Sequence, residues 1–248
     1  MPIAFVTGAS SGIGRATAVA LAQAGFDLII CGRRPERLAE LAAELSPTPV
    51  HPLVFDVRDR AATEAAVAAL PPAFQAIDVL INNAGGAHGL EPIQSGNPAD
   101  WDAMLDANVR GLLHVTHALL PGFTARKGGF ILNVSSVAGR DAYANGNVYC
   151  ASKAAVSMLT RTMRLDLLPL HIRVAEINPG AVETEFSEVR FKGDKARAAR
   201  VYDGFQPLTP QDVAEVIVFM VTRPPHVNLA DVLLLPSAQG AASIIHRE

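Results

Sequence analysis

Ile3-Ala4-Phe5-Val6-Thr7-Gly8-Ala9-Ser10-Ser11-Gly12-Ile13-Gly14 carries the reading of the fold. An apolar run, Ile3–Val6, breaks into a glycine-rich turn, and an Ala/Leu-rich helical stretch, Ile13–Ala24, follows at once. Glycines at this spacing permit a tight turn and let the main chain approach a ligand closely. The helix behind them offers unpaired N–H groups and the positive end of its dipole. At the first strand-to-helix junction of a βαβ unit, this arrangement cradles a dinucleotide pyrophosphate. The candidate phosphate ligands are Gly8, Ser10, Ser11, Gly12, Ile13 and Gly14.

The same rhythm repeats outward from that turn. Candidate strands are Ile3–Val6, Asp27–Gly32, Val50–Val57, Ile77–Asn82, Gly129–Ser135, Ile172–Ile177 and Asp231–Leu235. Candidate helices are Ile13–Ala24, Pro35–Leu45, Ala61–Leu70, Trp101–Leu120, Tyr149–Leu168 and Pro210–Thr222. The strands are continuous apolar runs, as a parallel sheet covered on both faces requires. Strands alternating with helices indicate a doubly wound α/β sheet with right-handed crossovers. No linker or repeat divides the chain, so residues 1–248 are expected to form one domain. Between Glu183 and Pro207 the rhythm stops and charges cluster. An excursion of that length in a compact domain points to a flap over a site, with an ordinary solvated helix pair as the alternative.

The composition agrees. Apolar residues make up 50% of the 248 and charged residues 18%, below the roughly 25% charged of an average soluble protein. Disorder and coiled coil are thereby excluded. A formal net charge of -3 leaves no basic field for nucleic acid or anionic lipid. Two cysteines, Cys31 and Cys150, cannot build a disulfide framework or a cysteine zinc site, and a reducing compartment is the default. His114 and His117 lack the clustered partners of a metal site. No apolar run reaches the ~20 residues of a membrane helix, and no basic targeting segment opens the chain. A soluble, cytoplasmic protein is expected.

The tip of the second candidate strand tells which dinucleotide. An NAD site places an acid there for the ribose 2′-hydroxyl, and an NADP site places arginine near the 2′-phosphate. Here Gly32-Arg33-Arg34-Pro35 offers two guanidiniums and no acid. Arginine's planar fork bonds two phosphate oxygens at once, so NADP(H) is expected. Asp56 and Val57 end the third strand, where the carboxylate can take an adenine amino group. Asn83, Ala84 and Gly85 follow the fourth, at the carboxyl edge where such sheets bind ligands.

Tyr149-Cys150-Ala151-Ser152-Lys153 places a phenol and an ammonium at i and i+4, on one helix face. A free phenol, with a pKa of ~10, is a poor acid or base at neutral pH. A nearby cation favours the phenolate and brings it toward a useful range. Ser136 closes the strand before it, where its hydroxyl can hold a substrate oxygen. Its neighbour Ser135 should face the other way. Asn108 interrupts an apolar helix, which is unfavourable without a task such as holding a proton-relaying water.

Taken together, Thr7–Gly14, Asn82-Asn83-Ala84-Gly85, Ser136, Tyr149-x-x-x-Lys153 and Asn178-Pro179-Gly180 resemble the short-chain dehydrogenase/reductase family over the whole chain. The resemblance implies a Rossmann-like sheet of order 3-2-1-4-5-6-7. It makes Tyr149 the general acid/base, Lys153 its pKa modifier and ribose ligand, Ser136 the substrate-orienting group and Asn108 the end of a proton relay. It brings Pro179, Gly180, Val182 and Thr184 to the nicotinamide side, implies direct hydride transfer without metal, and implies a homotetramer, or at least a homodimer. The dimer interface would be built on the Trp101–Leu120 and Tyr149–Leu168 helices.

Two stretches narrow the substrate. Asp231–Gln239 lacks the Asp-Gly-Gly ending typical of 3-oxoacyl thioester reductases. With Thr184–Asp194 and Gly32–Leu38 it resembles the NADP-dependent 3-hydroxy acid dehydrogenases, acting on serine, L-allo-threonine, 3-hydroxypropionate or semialdehydes. A small acid needs a cation for its carboxylate, and Arg190 or Lys192 in the flap can supply it. Arg140-Asp141 is a departure that either redirects specificity or pairs on the surface. Two other readings stay open: a reductase of another carbonyl (3-oxoacyl thioester, steroid-like or xenobiotic ketone), and a non-catalytic NADP sensor.

Overall fold

Apolar runs that need cover on both faces pair side by side in the computed structural model, which describes residues 1–248. The parallel strands are β1 (Ile3–Thr7), β2 (Asp27–Gly32), β3 (Val50–Val54), β4 (Ile77–Asn82), β5 (Gly129–Val134), β6 (Ile172–Pro179) and β7 (Asp231–Leu234). They form one seven-stranded sheet of order β3-β2-β1-β4-β5-β6-β7, the expected order. Helices α1 (Gly12–Gln23), α2 (Pro35–Glu44) and α9 (Pro210–Val221) cover one face. Helices α3 (Arg60–Ala68), α5 (Gly111–Arg126) and α6 (Asn147–Leu167) cover the other. Successive residues of β1 divide accordingly. Ala4 and Val6 enter the core under α1 and α9, while Ile3 and Phe5 enter the one under α5. Each large side chain buried this way contributes roughly 1.5–3 kcal/mol relative to exposure.

The strand and helix readings hold with three corrections. The third strand ends at Val54 rather than Val57. Phe55 N–H still bonds the Gly32 carbonyl at 3.2 Å, but Asp59 N–H then bonds the Asp56 carbonyl at 3.0 Å, and that turn lifts Asp56 and Val57 off the sheet. The expected helix Trp101–Leu120 is two helices, α4 (Pro98–Leu105) and α5, joined by a π-helical turn at Asp106–Arg110. Beyond β7, a short hairpin of β8 (Gln239–Ala241) and β9 (Ile244–Ile245) closes the chain.

The excursion from Glu183 to Pro207 is bounded by a bridge between Val182 and Leu208. Glu183 N–H bonds the Leu208 carbonyl and Leu208 N–H the Ala181 carbonyl, both at 2.9 Å. The segment holds two short helices, α7 (Phe186–Arg190) and α8 (Lys195–Ala199). Tyr202 anchors it from inside by donating to the Val182 carbonyl at 2.9 Å.

Candidate active site

Two polar ties draw the strand ends into a crevice. The Thr7 hydroxyl accepts the N–H groups of Asn83 and Ala84, each at 2.9 Å, joining the ends of β1 and β4. The Asn83 amide donates to the Thr7 carbonyl at 2.9 Å and the Gly8 carbonyl at 3.3 Å, so that side chain builds the crevice wall. Farther in, Asn82 donates to Thr116 and to Asn133, and Asn133 donates to Thr160, at 2.8–2.9 Å. This buried ladder ties β4, β5, α5 and α6 together through side-chain bonds that would be costly to break, although the Asn82 side-chain oxygen at its start accepts none.

The glycine turn fits a pyrophosphate sterically. Gly8 has φ +66°, which other residues resist, and a Cβ on Gly14 would lie 2.3 Å from the Gly8 carbonyl oxygen and 2.4 Å from the Asn83 amide nitrogen. Only hydrogen at these positions keeps the turn tight against the start of α1. Ser10, Ser11 and Ile13 stand on this turn, with Ala84 packed against it. Thr184 reaches over from the stem of the Glu183–Pro207 segment, its methyl 3.3 Å from where a Gly12 Cβ would sit. On the same wall Pro179 ends β6, and Ala181 N–H, between Gly180 and Val182, donates to the Gln239 side chain at 2.8 Å.

Arg34 leans over the turn. Its guanidinium donates to Ser10 at 3.1 and 3.2 Å, to Ser11 at 2.7 Å and to Glu185 at 3.0 Å. Hydrogen bonding from Arg34, together with the charges of Arg34 and Arg37, holds the Glu185 carboxyl below the usual carboxylate range. Arg33 is more exposed and lies 3.8 Å from Asp56. Asp56 is occupied chiefly by Arg58, at 2.7 Å. Burial raises its pKa, but the hydrogen bonds and charge of Arg58 and the charge of Arg33 outweigh it and leave the carboxyl low.

The structure brings Ser136, Tyr149, Lys153 and Asn108 together around the ends of β5 and α6. Ser136 accepts from Ala138 N–H at 3.1 Å, donates to the Pro179 carbonyl at 3.5 Å and stands beside the buried Tyr149 phenol. Ser135 turns away as expected, donating to the Lys153 carbonyl at 3.0 Å. The Lys153 ammonium donates to the Val134 carbonyl at 2.9 Å, and burial pushes its pKa down to about 8. Burial and Tyr143 push the Tyr149 phenol up, while the neighbouring Ser136 hydroxyl and the Arg190 charge pull it down only in part. Arg190 is thus a cation beside the phenol that the sequence reading assigned to the substrate rather than to Tyr149. Asn108 sits in the π-helical turn, a geometry that recurs at functional sites. Its amide accepts from Gly86 N–H at 2.8 Å and donates to the Gly86 carbonyl and to Ser152, both at 2.9 Å. A Cβ on Gly85 would lie 2.5 Å from that amide oxygen.

Arg190 comes from α7 to within 5.5 Å of the Tyr149 ring centroid, whereas Lys192 pairs with Asp100 at 2.8 Å. Arg140 pairs with Asp231, as the surface-pairing reading of that departure expects. Sequence reasoning missed Tyr143, Glu185, Phe186 and Gln239. Phe186 meets the Tyr149 ring edge-on at 5.6 Å. For Tyr143 a signal existed: an aromatic in the polar loop immediately before the Tyr149 helix.

Residues 2–195 match the family described as short chain dehydrogenase. The chain belongs to that family. It is 45% identical to an NADP-dependent 3-hydroxy acid dehydrogenase of Schizosaccharomyces pombe, over 98% of this chain and 96% of that one. It is also 45% identical to sulfoacetaldehyde reductase 2 of Chromohalobacter salexigens, over 96% and 95%. The closed form of a serine dehydrogenase complexed with NADP+ superposes with a TM-score of 0.95 at 43% identity, covering 99% of this chain and all of that one. The short-chain dehydrogenase is thus an NADP-dependent oxidoreductase acting on hydroxyl groups. None of its helices is long and apolar enough to cross a membrane.

Proposed function

We propose that this dehydrogenase oxidises a small 3-hydroxy acid or β-hydroxy amino acid, or reduces the matching semialdehyde. The observation that carries the reading is the Arg190 guanidinium over the Tyr149 ring, 5.5 Å from its centroid, a cation beside the proposed acid/base where a short substrate needs one for its anionic end. The substrates named for the relatives above support it: a 3-hydroxy acid, serine and a sulfonated aldehyde. A sulfonate presents oxygens to a guanidinium much as a carboxylate does, so sulfoacetaldehyde is the second substrate to test.

Gly8, Ser10, Ser11, Gly12, Ile13 and Gly14 hold the pyrophosphate, and Arg33 and Arg34 the 2′-phosphate. Asp56, Val57, Asn83, Ala84 and Gly85 line the adenosine side, and Pro179, Gly180, Val182 and Thr184 the nicotinamide side. Bound NADP supplies or accepts the hydride at the substrate carbon. Ser136 fixes the substrate oxygen by a hydrogen bond. Tyr149, a neutral phenol, donates its proton to that oxygen during reduction and takes it back during oxidation. Lys153 holds the ribose and passes protons toward the Asn108 turn. The Glu183–Pro207 segment serves as a flap that carries Arg190 to the site and excludes water around it.

The test is steady-state NADP+ reduction with L-serine, L-allo-threonine and 3-hydroxypropionate, run beside sulfoacetaldehyde with NADPH. Arg190→Ala is expected to raise KM for the preferred anion at least about tenfold, from a lost charge-assisted hydrogen bond of roughly 1.5–3 kcal/mol. An unchanged KM would sink the assignment of Arg190.

We also infer the homotetramer. Its support is apolar surface on the two helices expected to pack across the interface: Leu113 on α5, and Met158 and Leu165 on α6, the last 71% exposed. A second exposed set, Phe219, Leu233 and Ile244, lies on α9, β7 and β9. Apolar patches of this kind mark protein contacts. Light scattering at micromolar concentration is expected to give four chains per particle, and a monomer mass would refute the inference.

A further inference from the structure

Tyr143 stands in the loop between β5 and α6, with its ring half-buried. Arg190 lies between two aromatic rings, 5.5 Å from the centroid of Tyr143 and 5.5 Å from that of Tyr149. Three hydrogen bonds set its position. Arg190 Nη2 donates to the Tyr143 phenol oxygen at 2.8 Å, and Nε donates to the Gly89 carbonyl at 3.1 Å. Gly89 N–H returns a bond to the Arg190 carbonyl at 2.9 Å. The guanidinium is therefore held from the Gly89 loop and the Tyr143 loop at once, and its Nη1 group has no partner within the chain.

The chemistry at Tyr143 is asymmetric. Its oxygen is used as an acceptor, yet a phenol also has a proton to give. Burial pushes its pKa up, and the charge and hydrogen bond of Arg190 only partly reverse this, so the hydroxyl keeps its proton at neutral pH. Two kinds of donor are thus uncommitted beside Tyr149: the Nη1 N–H groups of Arg190 and the O–H of Tyr143. A planar carboxylate takes one donor on each oxygen.

We propose that Tyr143 determines specificity for anionic substrates, its hydroxyl accepting from Arg190 while donating its own proton to the substrate carboxylate beside Arg190 Nη1. The proposal rests on the hydroxy-acid reading and adds a second arm to it. Tyr143 touches the end of the substrate remote from the chemistry, so its effect falls on KM for the acid.

The test compares kcat/KM for 3-hydroxypropionate with that for 1,3-propanediol, which replaces the carboxylate by a neutral hydroxymethyl group. The wild-type protein is expected to prefer the acid. Tyr143→Phe keeps the ring under Arg190 but removes the hydroxyl. It should lower the acid-to-diol ratio about tenfold, through KM for the acid, with the NADPH dissociation constant as the check on folding. Tyr143→Gln carries a carbonyl to accept from Arg190 and an amide to donate, and should restore part of the lost ratio. A wild-type ratio near one would overturn the hydroxy-acid reading itself, and the role of Tyr143 with it. A wild-type preference that Tyr143→Phe leaves intact would overturn the role of Tyr143 alone. Gln performing worse than Phe would also overturn it, since mere packing favours the aromatic ring.

Discussion

Tyr149→Phe is expected to lower kcat by about 10²- to 10⁴-fold in both directions, the range spanned by a positioned general acid or base. The phenol is the proposed proton donor to the reacting oxygen: it is 8% exposed, stands beside Ser136 and is flanked by Phe186 and Arg190. Phenylalanine keeps the ring contacts. It also leaves Ser136 with its Ala138 N–H bond, so the melting temperature should move little. Loss of rate with retained stability and NADPH binding separates chemistry from folding. The direction of the pKa shift adds a second signature. Burial, the largest influence, and Tyr143 hold the phenol protonated, so it enters reduction as an acid already in the right state. Oxidation needs the phenolate, whose fraction grows about tenfold per pH unit below the phenol pKa. The wild-type oxidation rate should therefore climb from neutral into alkaline solution while the reduction rate stays nearly level. Tyr149→Phe should flatten the climb. A variant within tenfold of wild type in kcat, or one that keeps the alkaline rise, would remove Tyr149 from the mechanism.

The parts of this site that could be read from the sequence are those whose partners lie close in the chain or whose pattern repeats. β1 and the Gly8–Gly14 turn are contiguous, and strands buried on both faces are written as unbroken apolar runs. Tyr149 and Lys153 lie one helical turn apart, so their common face follows from the helix period. The remainder depends on contacts between remote segments. The π-helical turn surrounds Asn108, whose amide is satisfied by Gly86, 22 residues earlier, a partner that the interruption of the apolar pattern at Asn108 does not name. Tyr143 meets Arg190, 47 residues on, and Glu185 meets Arg34 across 151 residues. The β8–β9 hairpin has strands of three and two residues, too short to show a period. For the same reason helix spacing places Lys153 one turn from Tyr149 but gives no sign that Arg190 also stands 5.5 Å from its ring. Spacing along one helix was visible, and a cation arriving on a distant segment was not.

Arg34→Ala is expected to weaken NADPH binding by about 10- to 150-fold, the equivalent of roughly 1.5–3 kcal/mol for a charge-assisted hydrogen bond to phosphate. NADH binding should change by no more than a few-fold. The contrast with Arg33 follows from how each side chain is held. Arg34 is pinned by Ser10, Ser11 and Glu185, so little rotamer freedom remains to be lost when a phosphate arrives. Arg33 is 69% exposed in its side chain and drawn only loosely toward Asp56 at 3.8 Å, so Arg33→Ala should cost less. The serines extend the argument. Because Ser10 and Ser11 accept from Arg34, their hydroxyl protons stay free to donate to phosphate oxygens. Removing the guanidinium thus takes away one ligand and loosens two others. Arg34→Lys retains the charge but not the fork that spans both serines, and should recover only part of the affinity. Titrating the cofactors by nicotinamide fluorescence checks all of this. Equal losses for NADPH and NADH would mean that Arg34 supports the glycine turn instead of reading the 2′-phosphate.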